Sequence, residues 1–179
     1  RDSEVRLITI LGPGGIGKTR LSVEAASKSL RLFSDGVYLV GVEGVAGLEE
    51  VCQKVADALN YRPFGADPVS KQLLRVCAHR ALLLILDAAE FGLLNSDGPA
   101  FQTWIDRVLH VCAGVKIIVT SRQRLLSQYE NVLELKGLAV PIDALDDNAH
   151  QAAAVRLLYD LARRKDAHAT LPLEDAVRI

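Results

Sequence analysis

Gly12-Pro13-Gly14-Gly15-Ile16-Gly17-Lys18-Thr19 spells G-x-x-x-x-G-K-T between an apolar run and an amphipathic one. Glycines at this spacing let the backbone curl until successive N–H groups turn inward on phosphate oxygens. A lysine here reaches the β- and γ-phosphates as a point charge, and a threonine hydroxyl suits Mg²⁺. The next helix turns its positive dipole end toward the same anion. Gly12, Pro13, Gly14, Gly15, Ile16, Gly17, Lys18, Thr19 and Arg20 are therefore the candidate nucleotide contacts.

The loop works only between a buried strand and a helix. Arg6-Leu7-Ile8-Thr9-Ile10-Leu11 is short, apolar and rich in β-branched residues, as a buried strand is. Downstream, Leu21, Ala25, Ala26, Ser29 and Leu30 share one face at helical spacing, with Arg20, Glu24 and Lys28 at intervals of four elsewhere. Both contexts are met.

The rest alternates in the same way. Strands are expected at Val37–Val42, Ala81–Leu86, Val115–Thr120 and Asn131–Leu135. Between them fall helical stripes: Leu48 to Leu59, closed by Asn60 and Pro63; Pro68 to Cys77; and Phe101 to Cys112, after a loop at Asn95–Pro99. A further helix is expected from Ala149 to Arg164, and a last one begins near Leu173. Strand–helix alternation implies an α/β fold with parallel strands and right-handed crossovers. Ligands of such sheets sit at the carboxyl ends of the strands. Those ends carry the glycine loop, Asp87, and Thr120-Ser121-Arg122, all suited to a magnesium nucleotide.

Asp87 fits a Mg²⁺ carboxylate alongside Thr19, the bland alternative being a turn or cap residue. Glu90 is the candidate general base for a water at the γ-phosphate, although Ala88 and Ala89 fill places where a second acid often sits. Thr120, Ser121 and Arg122 are placed to read the γ-phosphate, Arg122 by stabilising charge; otherwise Ser121 caps the next helix and Arg122 is a solvated side chain. The guanine-reading elements N-K-x-D and T-K-x-D are absent, which favours ATP/ADP.

Composition narrows the partners. Over 179 residues the net charge is −1, so there is no basic footprint for direct nucleic-acid binding. No apolar run approaches the roughly 18 residues of a membrane span. Cys52, Cys77 and Cys112 are widely spaced beside apolar neighbours, as buried thiols of a reducing cytoplasm are, and no C-x-x-C or paired histidine offers a metal site. With Arg1 at its start and no methionine, the chain is expected to be a piece of a longer protein.

Four segments in order resemble one family. Arg6 to Ala26 resembles the opening of STAND-type ATPase domains of large bacterial transcriptional regulators, relatives of the NB-ARC modules of apoptotic and plant immune proteins. Leu82–Glu90 is similar to their Walker B segment, and Ile117–Arg122 to their fourth-strand sensor. Leu135–Pro141, with the helix bearing Ala154-Val155-Arg156-Leu157-Leu158, resembles the entry to their helical lid. The resemblance implies a P-loop NTPase three-layer sandwich with a five-stranded parallel sheet ordered 5-1-4-3-2. It implies a nucleotide-binding core over 1–145 and the start of a lid over 146–179. It further implies an ATP/ADP regulatory switch with slow hydrolysis, partnered by the other domains of a longer chain and capable of nucleotide-dependent self-association. Lys18 and Thr19 would hold phosphate and Mg²⁺, Asp87 Mg²⁺, and Arg122 the γ-phosphate. A small-molecule kinase and a scaffold with a structural nucleotide remain the alternatives.

Overall fold

The computed structural model describes residues 5–89, 98–138 and 152–165, the last five as backbone only. Its sheet is five-stranded, in the order β2-β3-β4-β1-β5, which read from the opposite edge is 5-1-4-3-2. The strands are β1 (Leu7–Leu11), β2 (Val37–Gly41), β3 (Leu83–Asp87), β4 (Lys116–Ser121) and β5 (Glu130–Glu134). Every neighbouring pair is parallel, and Leu11 lies opposite both Ser121 and Glu134. The carboxyl ends of the central strands therefore finish at one edge.

Two apolar layers sandwich this sheet because β3 and β4 are buried on both faces. On one face Leu7, Val40, Leu84, Leu86, Ile117 and Val119 pack with α2 (Leu48–Ala58), α3 (Val69–Cys77) and α4 (Gly98–Val111). On the other, Ile10, Leu83, Ile85 and Ile118 meet Ala26 of α1 (Lys18–Ser29). The helix α2 closes as expected at Asn60, whose left-handed φ of 52° accompanies Tyr61 N–H on Ala56 C=O at 2.8 Å. This pairing satisfies carbonyls that the helix end would leave unmet.

Three details depart from the sequence reading. The expected apolar face of α1 is met in part: Ala26 is buried and Leu21 packs against the same cluster, but Ser22 is buried too, while Ala25 is exposed and Leu30 is 56% exposed. Ala25 and Ser29 instead line a cleft of about 650 Å³ with Ile8, Phe33, Leu83 and Ile118. Leu30 opens a 3-10 turn that ends the α-helical ladder. Finally, α4 begins at Gly98, inside the stretch read as loop, because Pro99 lacks only an N–H that a first helical turn leaves unbonded anyway.

Long-range polar contacts lock the far edge of the sheet. Arg6, just before β1, donates to Leu109 and Cys112 C=O, each at 2.6 Å, and to Val115 C=O at 3.1 Å. The carbonyls of Leu109 and Cys112 are at the end of α4, where the helix dipole is negative, so the guanidinium acts as its cap and ties it to the residue before β4. The three cysteines are free and buried, and burial raises all three thiol pKa values, that of Cys77 to about 11. They are protonated packing groups.

Contacts divide the chain into Arg1–Leu135 and Lys136–Ile179. In the second unit, α5 (Ala153–Lys165) is the described element, with Val155 buried. The expected boundary at 145/146 and the helix near Leu173 lie outside the described residues, as do 149–151 of the helix expected from Ala149. No described helix is long and apolar enough to cross a membrane.

Thr9 sits fully buried in β1, and its hydroxyl has no hydrogen-bond partner among the described residues. An unmet buried hydroxyl costs free energy that a methyl of similar shape does not. Thr9→Val should therefore raise stability by about 1 kcal/mol in urea unfolding. A loss of stability would show that the hydroxyl is satisfied in solution.

Candidate phosphate-binding site at the strand ends

The glycine loop leaves β1 and runs into α1 through Gly17, whose φ of 98° places it in the left-handed region at the helix N-cap. A β-carbon there would strain the entry to the helix. Gly17 has no side chain with which to cap the first turn of α1, and no acidic residue lies in that turn. By contrast, the Glu49 carboxylate accepts from the N-terminal N–H of Val69 in α3 at 2.8 Å. The start of α1 thus keeps the N–H groups and positive dipole end that favour an anion.

Cationic groups bracket the loop. The Lys18 ammonium donates to Gly12 and Pro13 C=O at 2.9 and 3.0 Å, which holds it against the loop it would serve. Arg122, exposed just past β4, lies across Gly14: a β-carbon at Gly14 would meet a guanidinium nitrogen at 2.9 Å. Glycine at 14 is required for that close approach. Arg20 is exposed in the first turn of α1.

Asp87 joins the three strand ends. Its carboxylate accepts from Thr19 Oγ1 at 2.8 and 3.0 Å and from Thr120 Oγ1 at 2.5 Å. Thr120 Oγ1 in turn accepts from Ala88 N–H at 2.9 Å, and Thr120 C=O accepts from Ala89 N–H at 2.9 Å. The chain can turn so sharply after β3 because Ala88 adopts a φ of 58°. Among the described residues no three His, Cys, Asp or Glu side chains converge as a metal site. A hydroxyl and one carboxylate are instead the hard oxygen donors that Mg²⁺ takes alongside phosphate and water.

The sequence-predicted residues therefore fall into groups. Lys18, Thr19, Asp87 and Arg122 come together at one edge of the sheet. Thr120 and Ser121, expected beside Arg122 as γ-phosphate readers, are buried with their hydroxyls engaged inward: Thr120 on Asp87, and Ser121 accepting from Gln123 N–H at 3.0 Å. Glu90 lies outside the described residues. The sequence reading missed the left-handed Ala88 and the pairing of Thr120 with Asp87. A threonine closing a buried strand beside a strand that closes on aspartate was the available signal.

The chain matches the NB-ARC domain over residues 1–139. It is 27% identical over 162 residues to a Mycobacterium tuberculosis protein described as an HTH-type transcriptional regulator, covering 90% of this chain and 18% of that protein. An uncharacterized protein of the same species is 26% identical over 169 residues, 94% of this chain and 41% of its own length. The chain thus spans less than half of these relatives. Among solved structures, it is similar to a Signal Transduction ATPase with Numerous Domains (STAND) protein with a tetratricopeptide repeat sensor from Pyrococcus horikoshii. There the TM-score is 0.56 at 17% identity, covering 98% of this chain and 25% of that one. Drosophila ORC bound to DNA gives a TM-score of 0.55 at 18% identity, over 75% of this chain and 39% of that one. At these identities the structural likeness establishes the fold, a P-loop α/β sandwich.

The strain at Ala88 can be measured. Alanine at positive φ costs about 1 kcal/mol relative to glycine, so Ala88→Gly should stabilise the chain by that order in thermal unfolding. A destabilised variant would mean that the turn after β3 is not left-handed in solution.

Proposed function

The chain belongs to the NB-ARC family, and on that premise we propose that this nucleotide-binding regulatory ATPase module is an ATP/ADP switch within a larger cytoplasmic regulator. In this reading the ADP form is inactive, the ATP form is competent to assemble, and slow hydrolysis times the return. The observation that carries it is the convergence of Lys18, Thr19, Asp87 and Arg122 at the strand ends. Phosphate binding alone would need only the loop. A switch also needs a group that responds to the γ-phosphate, and Arg122 reaches the loop from a different strand.

The roles follow from the chemistry of each group. Backbone N–H groups from Gly14 to Thr19 and the N-terminus of α1 cradle the phosphates, with Arg20 flanking them. Lys18 leaves its loop carbonyls for phosphate oxygens, exchanging neutral acceptors for charged ones, which bind an ammonium more strongly. Thr19 and Asp87 would hold Mg²⁺, which when bound neutralises phosphate charge. Arg122 lies over Gly14 and exchanges that position for the γ-phosphate, so ATP and ADP leave the end of β4 in different arrangements. Glu90 is assigned as general base, three residues after Asp87.

Partners are then nucleotide, the other domains of the full protein, and further copies assembled through those domains. Residues 146–179 form the start of a helical lid in this account. The net charge of −1 argues against direct nucleic-acid binding by this segment.

Two substitutions test the assignment. Lys18→Ala should abolish ADP and ATP binding in a calorimetric titration, while Glu90→Gln should leave binding intact and slow turnover by at least tenfold. Unchanged turnover in Glu90→Gln contradicts the base assignment. Rapid phosphate transfer to a small metabolite contradicts the switch and points to a kinase.

A further inference from the structure

Thr120 is buried, 1% exposed, and its hydroxyl holds two partners at the end of another strand. It donates to Asp87 Oδ1 at 2.5 Å and accepts from Ala88 N–H at 2.9 Å. Both partners belong to the turn where β3 ends, and Ala88 is the left-handed residue of that turn. The neighbouring backbone bond, Ala89 N–H to Thr120 C=O, clamps the same turn from the other side of the residue. Parallel pairing of β3 with β4 runs from Leu83↔Lys116 to Leu86↔Val119. Beyond Val119 the side chain of Thr120 carries the connection onward.

An aspartate at the end of a strand has free rotation about its side-chain bonds unless something fixes it. Here one carboxylate oxygen takes the Thr120 proton, and Thr19 Oγ1 contacts both oxygens from the loop side. A hydroxyl has one proton and two acceptor lone pairs. With Ala88 N–H occupying one lone pair, the proton of Thr120 is committed to Asp87.

We propose that Thr120 is a positioning residue for Mg²⁺: it orients the Asp87 carboxylate and the backbone turn behind it, and it does not itself read the γ-phosphate. This rests on the nucleotide-site reading above, since only a bound magnesium nucleotide gives the orientation of Asp87 a consequence. Partners of this kind, one shell behind a ligand, commonly alter metal affinity by about 10–100-fold when removed. The effect belongs to the metal and leaves the phosphate cradle of Gly14 to Thr19 untouched.

The test compares ADP affinity in Mg²⁺ with affinity in EDTA, by calorimetry, for the chain and for Thr120→Val and Thr120→Ser. Valine keeps the shape of threonine and removes the hydroxyl; serine keeps the hydroxyl. Thr120→Val should bind ADP within about twofold of the unsubstituted chain in EDTA, and should need at least about tenfold more Mg²⁺ to reach the high-affinity state. Thr120→Ser should restore the Mg²⁺ response. Thermal unfolding checks folding, and Thr120→Ala, which also lacks the hydroxyl, carries the same expectation if valine does not fold. An unchanged Mg²⁺ response in a folded Thr120→Val or Thr120→Ala overturns the proposal. So does an equal loss of affinity in EDTA and in Mg²⁺, which would mark a merely structural role. Absence of ADP binding by the unsubstituted chain overturns the nucleotide-site reading itself, and this inference with it.

Discussion

Burial of β3 and β4 on both faces is the constraint on which the rest of the molecule depends. Residues 82–86 are all apolar and buried, and β4 is buried from Ile117 to Ser121. Polar chemistry cannot interrupt such strands without loss of packing, so it collects where they end. Parallel pairing then brings the ends of β1, β3 and β4 to one edge. The glycine loop, Asp87 and Arg122 meet there because the core permits them nowhere else.

Within that edge, positions are set by hydrogen bonds that cross between strands. Asp87 is held from the loop by Thr19 and from β4 by Thr120. Arg122 is brought to the loop by the absence of a side chain at Gly14. One glycine thus serves two ends, admitting phosphate to the backbone and the guanidinium to the loop. Such coupling suits a site whose contents are to be reported elsewhere in a larger protein.

Much of this is legible in the residues. Periodicity located all five strands within a residue or two, since buried parallel strands are short apolar runs between turn signals. The sheet order came through the resemblance, because crossover rules alone leave several orders open. Lys18, Thr19 and Asp87 could be paired from motif spacing. The face of α1 was legible only in part: Leu21, Ala25, Ala26, Ser29 and Leu30 have the right spacing, yet the helix buries Ser22 with Ala26 and leaves Ala25 and Leu30 exposed. The left-handed Gly17 at its N-cap is a backbone property with no hydrophobic signature. Ala88 was hidden for a similar reason, since alanine carries no preference for a left-handed turn. The role of Arg6 left no local signal, because its carbonyl partners lie more than a hundred residues away.

The central claim is that the strand-end site of this chain holds an adenine nucleotide. Mass spectrometry of the nucleotide released on denaturing the purified protein, followed by ADP titration of any empty fraction, tests it most directly. The account predicts ADP in the released material, or saturable ADP binding by the empty fraction. Guanine nucleotide in the released material, or no binding of ADP at millimolar concentration, would contradict it.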